Sequence, residues 1–537
     1  MRLCSMKSSR ALARLVQAGA ALTAAALVAG CGNNYRPTVT PQVSSGPASQ
    51  VTSYAVTVSA PTATTGVATI IDYSGDTVLA YANIGSRPYN LTLDELGSEA
   101  YTYNYDGTLT NFPISTSLQQ KNVLYSTLAT NAAPINWMAP SANLWAADLT
   151  GNVADLFSGS PEAFKESIPV ATSPVFIAGS PTNTGQREYV IAQNFSDSSG
   201  VTCNTNPTGV TTTGIVTPIE ISTDVADSGI AVGVCPVMAV QTPDLKRLFV
   251  VNRGDDTISV IDKVKNKLDG TYDSSGNCQT YTSLTGQTVT CHPTLPLSQK
   301  ALTSLYSTYK YLPANCTSTS STACAAMPTE AQPVFAEYNS TTQQLIVSDY
   351  TGGTISIIDV SLDEYGNDSS TFGTTYTVKV GNTSTPYPAS LTVLYDGSKA
   401  YTANQGDDSG DGNGTVSVVN LSSHTLEKTL EVTGHPRTVV STQNSLYTKI
   451  YAAAPDSNYL TVIQSTGTTT DVIDTAIRVE GEIVDVRTTT QNGSSGNINY
   501  TSRTPGYGLP CNLPPNSSYW TSNPTMTLAT CRQVPGL

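Results

Sequence analysis

The stretch RLFVVNRGDDTISVID (247–262) decides the fold, because it returns in altered form as QLIVSDYTGGTISIID (344–359) and KAYTANQGDDSGDGNGTVSVVN (399–420). In each copy a strand of β-branched or aromatic residues ends in Asn or Asp, and a turn containing glycine follows. A second strand then alternates Thr or Ser with Val or Ile. This pattern is typical of an antiparallel β-hairpin. The chain is therefore built from a repeat whose central part is a hairpin.

In each unit a proline stands at the start of the short strand that precedes the hairpin. This proline marks the beginning of the unit. These prolines are Pro88, Pro134, Pro174, Pro236, Pro333, Pro388 and Pro436, with spacings of 46, 40, 62, 97, 55 and 48 residues. A repeat of about 40–50 residues that holds four strands is typical of a β-propeller blade. The sequence therefore predicts an all-β chain that forms a single β-propeller.

The count of third strands favours eight four-stranded blades. The last unit begins with EIVDVRTTT (482–490) and INYTS (498–502) and then stops after two strands. We expect ATIIDYSG (68–75) and VLAYANIG (78–85) to supply its third and fourth strands. N- and C-terminal strands that share a blade close the ring and remove the exposed sheet edges.

The segments VVNRGDDTISVID (250–262) and YTANQ…GTVSVVN (401–420) resemble the YVTN-type β-propeller repeat. The match extends from Pro236 to about Gln464 and is weak before Pro174. Members of that family commonly have seven blades, so the resemblance leaves seven or eight open. The family includes surface-layer and cell-envelope proteins and shares its fold with lactone hydrolases. The resemblance therefore implies a fold much more than a function.

The composition agrees with a large β-rich protein. Only 12% of the 537 residues are charged, whereas Gly (40) and Tyr (28) are abundant. Coiled coils and long helical bundles need many Ala, Glu, Lys, Leu and Arg residues, so both are excluded. The formal net charge of −14 argues against nucleic acids and anionic lipid surfaces as partners.

Residues 1–30 have the composition of a lipoprotein signal peptide. Four basic residues and no acidic residue precede an apolar stretch at 18–29, which is too short for a membrane-spanning helix of about 20 residues. The string LVAGC (27–31) resembles the bacterial lipoprotein box, which implies lipidation of Cys31 and a membrane partner through the lipid anchor. The alternative is an ordinary signal peptide followed by a cysteine. By resemblance to enterobacterial sorting, Gly32 favours the outer membrane over the inner membrane.

Three further segments differ from the repeat region at 51–490. Residues 31–50 are rich in Pro, Ser and Thr and are expected to form a flexible tether. The insertion at 263–332 holds four cysteines and a stretch, KALTSLYSTYKYL (300–312), that could form a short amphipathic helix. This insertion is either a partner-binding cap or a passive stabilising excursion. The tail at 491–537 is rich in Gly, Ser and Pro and completes or covers the last blade.

The cysteines are expected to form disulfides. Eight remain when Cys4 leaves with the signal peptide and Cys31 takes lipid, and an even number outside the cytoplasm implies pairing. Proximity in the sequence favours Cys203–Cys235, Cys278–Cys291, Cys316–Cys324 and Cys511–Cys531, among 105 possible arrangements. A CxxC metal motif is absent from the sequence.

The repeat places two sets of polar residues at one face of the ring. Residues before the prolines are Arg87, Cys235 and His435, and those at the ends of second strands are Asn104, Asp148, Asn194, Asn252, Asp349 and Asn404. One interpretation is a ring of amides and carboxylates that binds a polar ligand. The other is that each Asn or Asp starts its hairpin with an Asx-turn. Arg253 and Tyr350 depart from the repeat and are added to the candidate ligand-binding face.

No cofactor is expected, with calcium as a weaker alternative. Asp407, Ser409 and Asp411 have the spacing of a calcium loop, but Val418 stands where an EF-hand has glutamate. The alternative is a solvated hairpin tip. Catalytic residues are not assigned, because none of the common hydrolase, nucleotide or metalloprotease motifs is present.

The sequence thus predicts a cell-envelope lipoprotein that acts as a binding or scaffolding module for an envelope protein or glycan. One alternative is a lactonase- or cycloisomerase-like enzyme with a polar site at the channel mouth. Another is a structural component of a surface layer. Whether the protein is an enzyme stays open, and the absence of motifs favours a protein that is not.

Overall fold

The computed structural model describes residues 54–489. Gaps in this description lie at 63–64, 86–87, 94–96, 98, 105–107, 115–123, 128–142, 149–150, 159–162, 180–186, 196–202, 204–206, 272–280, 283–287, 290, 407–413 and 466–470. The predicted signal peptide, Cys31, the tether, the tail, Arg87 and the calcium candidates Asp407, Ser409 and Asp411 all lie outside the described residues.

Eight antiparallel sheets form the blades of one β-propeller, so the predicted fold and the count of eight are confirmed. Blade 1 comprises β4 (Pro88–Leu93), β5 (Glu99–Asn104), β6 (Thr108–Pro113) and β7 (Leu124–Thr127). Blade 2 comprises β8 (Asn143–Asp148), β9 (Val153–Ser158) and β10 (Ala163–Pro169). Blade 3 comprises β11 (Pro174–Ala178), β12 (Arg187–Ala192), β13 (Thr213–Glu220), β14 (Val225–Ala226) and β15 (Ile230–Val234).

The next three blades contain the repeats that the sequence shows most clearly. Blade 4 comprises β16 (Pro236–Gln241), β17 (Arg247–Asn252), β18 (Thr257–Asp262), β19 (Lys267–Leu268) and β22 (Thr294–Pro296). Blade 5 comprises β23 (Pro333–Asn339), β24 (Gln344–Asp349), β25 (Thr354–Asp359) and β26 (Thr375–Lys379). Blade 6 comprises β27 (Pro388–Val393), β28 (Lys399–Asn404), β29 (Thr415–Asn420) and β30 (Thr425–Glu431).

Blade 7 and the composite blade 8 complete the ring. Blade 7 comprises β31 (Thr438–Ser441), β32 (Lys449–Ala453), β33 (Tyr459–Gln464) and β34 (Val472–Arg478). Blade 8 comprises β35 (Glu482–Thr488), β1 (Tyr54–Thr62), β2 (Thr65–Asp72) and β3 (Thr77–Ile84), in that order from the centre outwards. The innermost strand β35 contacts β31 of blade 7 and β4 of blade 1, which closes the ring.

The shared blade is confirmed, but its division between the two chain ends differs from the prediction. Among the described residues, the C-terminal part supplies β35 and the N-terminal part supplies three strands. The second strand is β1, whose Val56 lies opposite Arg487 in an antiparallel register. Most of β1 is buried, because it lies between β35 and β2 in the sheet. The predicted second strand at 498–502 lies outside the described residues.

Prolines begin five of the innermost strands, as the spacing predicted, whereas the innermost strand of blade 7 begins at Thr438, two residues after Pro436. Pro88, Pro174, Pro236, Pro333 and Pro388 each start a strand, and the register shifts immediately after each of them. Proline has no backbone N–H to donate, so it suits the first position of a strand, and the bulge that follows bends the strand at the ring interior. Pro134 lies outside the described residues.

The core lies between the blades and consists of side chains from their central strands. Strands β17 and β18 of blade 4 are buried along their whole length, as are β27 and β28 of blade 6. Strands buried on both faces read as nearly continuous apolar stretches, which explains LFVV (248–251) in the repeat. Burial of each such valine, leucine or isoleucine contributes about 1.5–3 kcal/mol.

The insertion at 263–332 is an integral part of the ring. Its strand β22 pairs with β18 and completes the outer part of blade 4. Its predicted helix is present as α1 (Gln299–Tyr309), capped by Ser298 and buried through Leu302 and Leu305. A short helix, α2 (Thr322–Ala325), contacts β26 of blade 5. The insertion also contains β20 (Tyr281–Thr282) and β21 (Thr288–Val289).

Two of the predicted disulfides are confirmed. Cys203 pairs with Cys235, and Cys316 pairs with Cys324. Cys291 is disulfide-bonded as well, and its predicted partner Cys278 lies outside the described residues. Cys511 and Cys531 also lie outside them. Within the described part of the chain, no helix is long and apolar enough to cross a membrane.

Candidate functional site

We call the face that carries the turns between second and third strands the upper face, and the opposite face the lower face. The upper face also carries the links from each fourth strand to the next blade. The sequence predicts its ligand-binding residues here. The lower face carries the turns between third and fourth strands.

Three of the asparagines predicted at the ends of second strands are not open to a ligand, whereas Asn194 is half-buried. Asn104, Asn252 and Asn404 are at most 1% exposed, and so is Asp349 in the same position. Asn252 donates from Nδ2 to the hydroxyls of Thr257 (3.1 Å) and Ser259 (3.0 Å) on the third strand. The prediction that these four side chains form an open polar ring is therefore wrong, because each is buried inside its own blade.

The alternative interpretation, an Asx-turn, does not match the bonds found at Asp148, Asn194 and Asn404. Asp148 accepts a hydrogen bond at 2.8 Å from the backbone N–H of Gly151, three residues on, whereas an Asx-turn uses the N–H two residues on. Asn404 instead donates from Nδ2 to the hydroxyls of Thr415 (3.1 Å) and Ser417 (2.9 Å). Asn194 donates from Nδ2 to the carbonyl of Thr213. In the regular blades the asparagine therefore joins the second strand to the third through side chains.

Asp349 is a carboxylic acid of this series and is fully buried. Thr354 and Ser356 donate their hydroxyls to Asp349 Oδ2 at 2.9 and 2.8 Å. Burial raises the pKa of Asp349 to about 8, although the two hydrogen bonds act to lower it. The acid is therefore mostly protonated at neutral pH and serves as a structural group.

The residues that directly follow the second strands are arranged differently from the buried residues at the strand ends. Arg253, Tyr350 and Gln405 are equivalent by register, since each follows the last residue of a second strand. Tyr350 stacks on Tyr387, with ring centroids 5.0 Å apart, and its hydroxyl donates to Gln405 Oε1 at 3.2 Å. Tyr387 lies just before the proline that opens blade 6.

His435 and Asp456 form a close pair beside this aromatic group. His435 Nδ1 lies 2.6 Å from Asp456 Oδ2, and the backbone N–H of His435 donates to Asp456 Oδ1 at 2.8 Å. Burial first, and then the charge of Asp456, raise the pKa of Glu482 to about 7. A Cβ placed on Gly406 would lie 3.9 Å from His435, so this pair adjoins the turn of Gln405.

These residues define the upper-face site: Arg253, Tyr350, Tyr387, Gln405, His435, Asp456 and Glu482. The sequence predicted three of them, Arg253, Tyr350 and His435. It missed the other four: Gln405 and Asp456 stand in turns, Tyr387 stands before a first strand, and Glu482 begins β35. Their alignment on blades 4 to 8 becomes visible only once the register is known. The site combines a guanidinium, stacked aromatic rings, an amide and three titratable groups.

The Cys203–Cys235 disulfide fixes one edge of the upper face. Cys235 is fully buried and stands before Pro236 with φ of 50°. The bond ties this position to the chain segment that links the second and third strands of blade 3. Cys235 is therefore a structural residue at the position where His435 stands in blade 7.

The lower face contains ion pairs that join neighbouring blades. Lys399 begins the second strand of blade 6, and its Nζ lies 2.7 Å from Asp471 Oδ2 of blade 7. The hydroxyl of Tyr401 donates to the other oxygen of Asp471 at 2.6 Å. The same arrangement joins blades 7 and 8 through Lys449, Tyr451 and Asp76.

Between blades 4 and 5 the corresponding ion pair includes additional side chains. Arg247 donates from Nη2 to Asp368 Oδ1 at 2.9 Å and lies 3.7 Å from Asp269. His292, from the insertion, places Nδ1 at 2.7 Å from Asp368 Oδ2. Burial first, and then the charge of Asp368, raise the pKa of Asp269 to about 7. Sequence reasoning assigned no role to these residues, since they are up to 121 positions apart.

No protein-family model matches the chain, and no curated protein matches it either. The structure of apo AztD from Citrobacter koseri is similar, with a TM-score of 0.50 and 12% identity over 83% of this chain and 99% of that chain. A putative 6-phosphogluconolactonase from Bacteroides fragilis has a TM-score of 0.45 and 13% identity over 82% and 99% of the two chains.

The periplasmic gluconolactonase PpgL of Pseudomonas aeruginosa has a TM-score of 0.44 and 11% identity over 82% of this chain and 99% of that chain. At such identities the likeness concerns the fold alone. The chain is thus an eight-bladed β-propeller protein with a polar and aromatic site on its upper face. Its resemblance to the YVTN-type repeat stays a prediction from the sequence.

Proposed function

We propose that this chain is a lipid-anchored binding protein of the bacterial cell envelope whose upper-face site takes a glycan. One observation carries the proposal. Tyr350, stacked on Tyr387 and hydrogen-bonded to Gln405, replaces the simple turn residues that the repeat would place there. A few polar groups beside aromatic faces suit a ligand with both apolar and hydroxyl-bearing surfaces.

Charges at the site support a neutral, hydroxyl-rich ligand. Arg253 can donate hydrogen bonds, and its buried Nε has no partner among the described residues. Asp456 and Glu482 can accept hydrogen bonds from hydroxyl groups. The site thus offers hydrogen-bond donors and acceptors on both sides of the aromatic stack. A sugar can make more complementary contacts there than a simple anion or cation can.

The anchor and the location rest on the sequence alone. The string LVAGC (27–31) supports lipidation of Cys31, and Gly32 supports the outer membrane. Metabolic labelling with radioactive palmitate should mark the protein and should fail with the Cys31→Ser variant. Membrane fractionation tests the second part, and the protein should be recovered with the outer membrane.

A glycan array of bacterial envelope oligosaccharides tests the binding function, followed by titration calorimetry of the strongest ligand. Tyr350→Ala should weaken binding at least tenfold, because it removes the stacked ring. Tyr376→Ala is the matched control, since Tyr376 also stacks on a neighbouring ring, that of His424, but lies on the outer strand of blade 5. Absence of oligosaccharide binding, or equal affinity of the Tyr350→Ala variant, would reject the proposal.

An enzyme of lactonase type is the second candidate, and one observation favours it. A general base needs a partner that orients it, and Asp456 holds His435 in this way. Lactone hydrolysis that is lost with His435→Ala, while thermal stability is retained, would favour this candidate. Crosslinking on intact cells that captures one envelope protein would instead favour a scaffold.

A further inference from the structure

Three metal-ligating side chains meet on the lower face, away from the upper-face site. Asp269 follows β19, His292 precedes β22, and Asp368 lies between β25 and β26. Their donor atoms all lie within 4.8 Å of one another. Blade 4, its insertion and blade 5 therefore contribute to one cluster, which we call the lower-face triad.

The triad is held in place by the surrounding structure. The side chains of Asp269 and Asp368 are each 1% exposed, and that of His292 is 12% exposed. The backbone N–H of His292 donates to Asp269 Oδ2 at 3.0 Å, and the imidazole stacks on Phe372 with centroids 4.9 Å apart. The ring is thus oriented by contacts on its face, while part of it reaches solvent.

The related bridges show what is added here. At Lys399 and Lys449 a tyrosine hydroxyl donates to the acid of the next blade. In blade 4 the corresponding residue is Phe249, which has no hydroxyl. His292 takes that place and brings an imidazole nitrogen to Asp368. Imidazole together with two carboxylates is a donor set that divalent transition metals such as Zn²⁺ accept.

Charge around the triad leaves room for a cation. Asp269 and Asp368, both buried, face the single buried guanidinium of Arg247. Asp262 adds a third carboxylate 3.9 Å from Arg247, and the exposed Lys265 pairs with it at 2.8 Å. Arg247 binds Asp368 through Oδ1 and leaves Oδ2 directed at His292. A guanidinium in that position acts as an outer partner that orients a ligating carboxylate.

We propose that Asp269, His292 and Asp368 bind one divalent transition-metal ion, of which Zn²⁺ is the best match. Ligand atoms of a tetrahedral zinc site lie ~3.4 Å apart, given metal–ligand bonds of about 2.1 Å. Donors that already lie within 4.8 Å of one another reach this geometry through small side-chain rotations. Water completes the coordination on the side where His292 meets solvent. Nothing in this site depends on the upper-face proposal.

The test uses the full chain, purified in detergent, freed of metal with EDTA and titrated with Co²⁺ or Zn²⁺. We expect one equivalent of Co²⁺ to bind and to produce visible d–d absorption bands, which Zn²⁺ then removes by displacement. His292→Ala and Asp269→Asn should each weaken binding at least tenfold. Thermal unfolding without metal checks that each variant is folded.

The chain offers matched controls because it has only three histidines. His424→Ala and His435→Ala should leave the stoichiometry and affinity unchanged. If His292→Ala does not fold, His292→Gln keeps a hydrogen-bond donor for Asp368 and still removes the imidazole. Absence of Co²⁺ binding to the folded chain, or unchanged affinity in the folded His292 variant, would overturn the proposal.

Discussion

Two histidine–aspartate pairs of nearly equal geometry lie on opposite faces of the ring. His435 and Asp456 are 2.6 Å apart on the upper face, and His292 and Asp368 are 2.7 Å apart on the lower face. The upper pair belongs to blade 7 alone and has Glu482 as its neighbour. The lower pair joins two blades and has Arg247 at 2.9 Å from Asp368.

The third group makes the difference between the two pairs. Burial acts to raise the pKa of Asp368, but hydrogen bonds from His292 and Asp269 and the charge of Arg247 together lower it. On the upper face the nearby carboxyls Asp349 and Glu482 have raised pKa values. Asp368 therefore stays charged because it accepts hydrogen bonds and pairs closely with Arg247, whereas the pKa of its neighbour Asp269 is raised by burial and by the charge of Asp368. The two pairs thus differ in their surroundings, since Arg247 is paired with the aspartate of the lower pair and Glu482 lies beside the aspartate of the upper pair.

Removal of the Arg247 guanidinium should have the largest effect on the free energy of unfolding. Arg247→Met removes the guanidinium from the buried Asp269 and Asp368 and leaves them only their contacts with His292, so we expect the free energy of unfolding to fall by ~3–5 kcal/mol. Urea unfolding measures this change. Lys265→Met is the control, because an exposed ion pair contributes at most about 1 kcal/mol. If the two variants lose equal stability, the contrast between the faces is wrong.

Asp349→Asn should stabilise the protein in a pH-dependent way. The unfolded acid loses its proton near pH 4, whereas the folded acid keeps it up to its pKa of about 8. The wild type therefore loses stability as pH rises through this range, and the variant does not. Since each pKa unit corresponds to ~1.4 kcal/mol, the variant should gain more than ~1 kcal/mol over wild type at pH 8 relative to pH 4.

The reverse substitution sharpens this prediction. Asn404→Asp places the same carboxyl at the equivalent buried position of blade 6. Its stability should fall as pH rises from 4 to 8, in the way expected of Asp349. Guanidinium unfolding at several pH values tests both variants. A flat pH profile for Asn404→Asp would show that the position itself does not exclude charge.

Glu482→Gln should have the smallest effect of this kind. Its pKa of about 7 lies above the ordinary 4.5, so the wild type loses stability between about pH 4.5 and 7. Because Glu482 is only partly buried, we expect the variant to gain ~1 kcal/mol at pH 8. The Glu364→Gln variant is the control for loss of an exposed carboxylate. A gain that is the same at every pH would contradict the assigned cause.

The local sequence pattern predicted the ring of blades, but it did not predict which of the polar side chains are buried. Hairpins, opening prolines and two disulfides follow from residues near one another in sequence, where turn chemistry and alternation act directly. Asn252 and Asn404 could be placed at strand ends from this pattern. Their burial could not, because it depends on hydroxyls of the third strand that approach the amide only when the blade twists and packs.

The sequence by itself determined the all-β repeat and indicated a helix within 300–312, because both rest on short-range periodicity. The count of strands also favoured eight blades, with one shared by the two ends of the repeat region. Only the tertiary structure decided that Asp456 supports His435 and that Glu482 lies beside them. It also decided that Asp269, His292 and Asp368 meet. Closure of the ring brings together turns that are distant in the sequence. The local sequence pattern does not indicate which side chains of neighbouring blades contact each other.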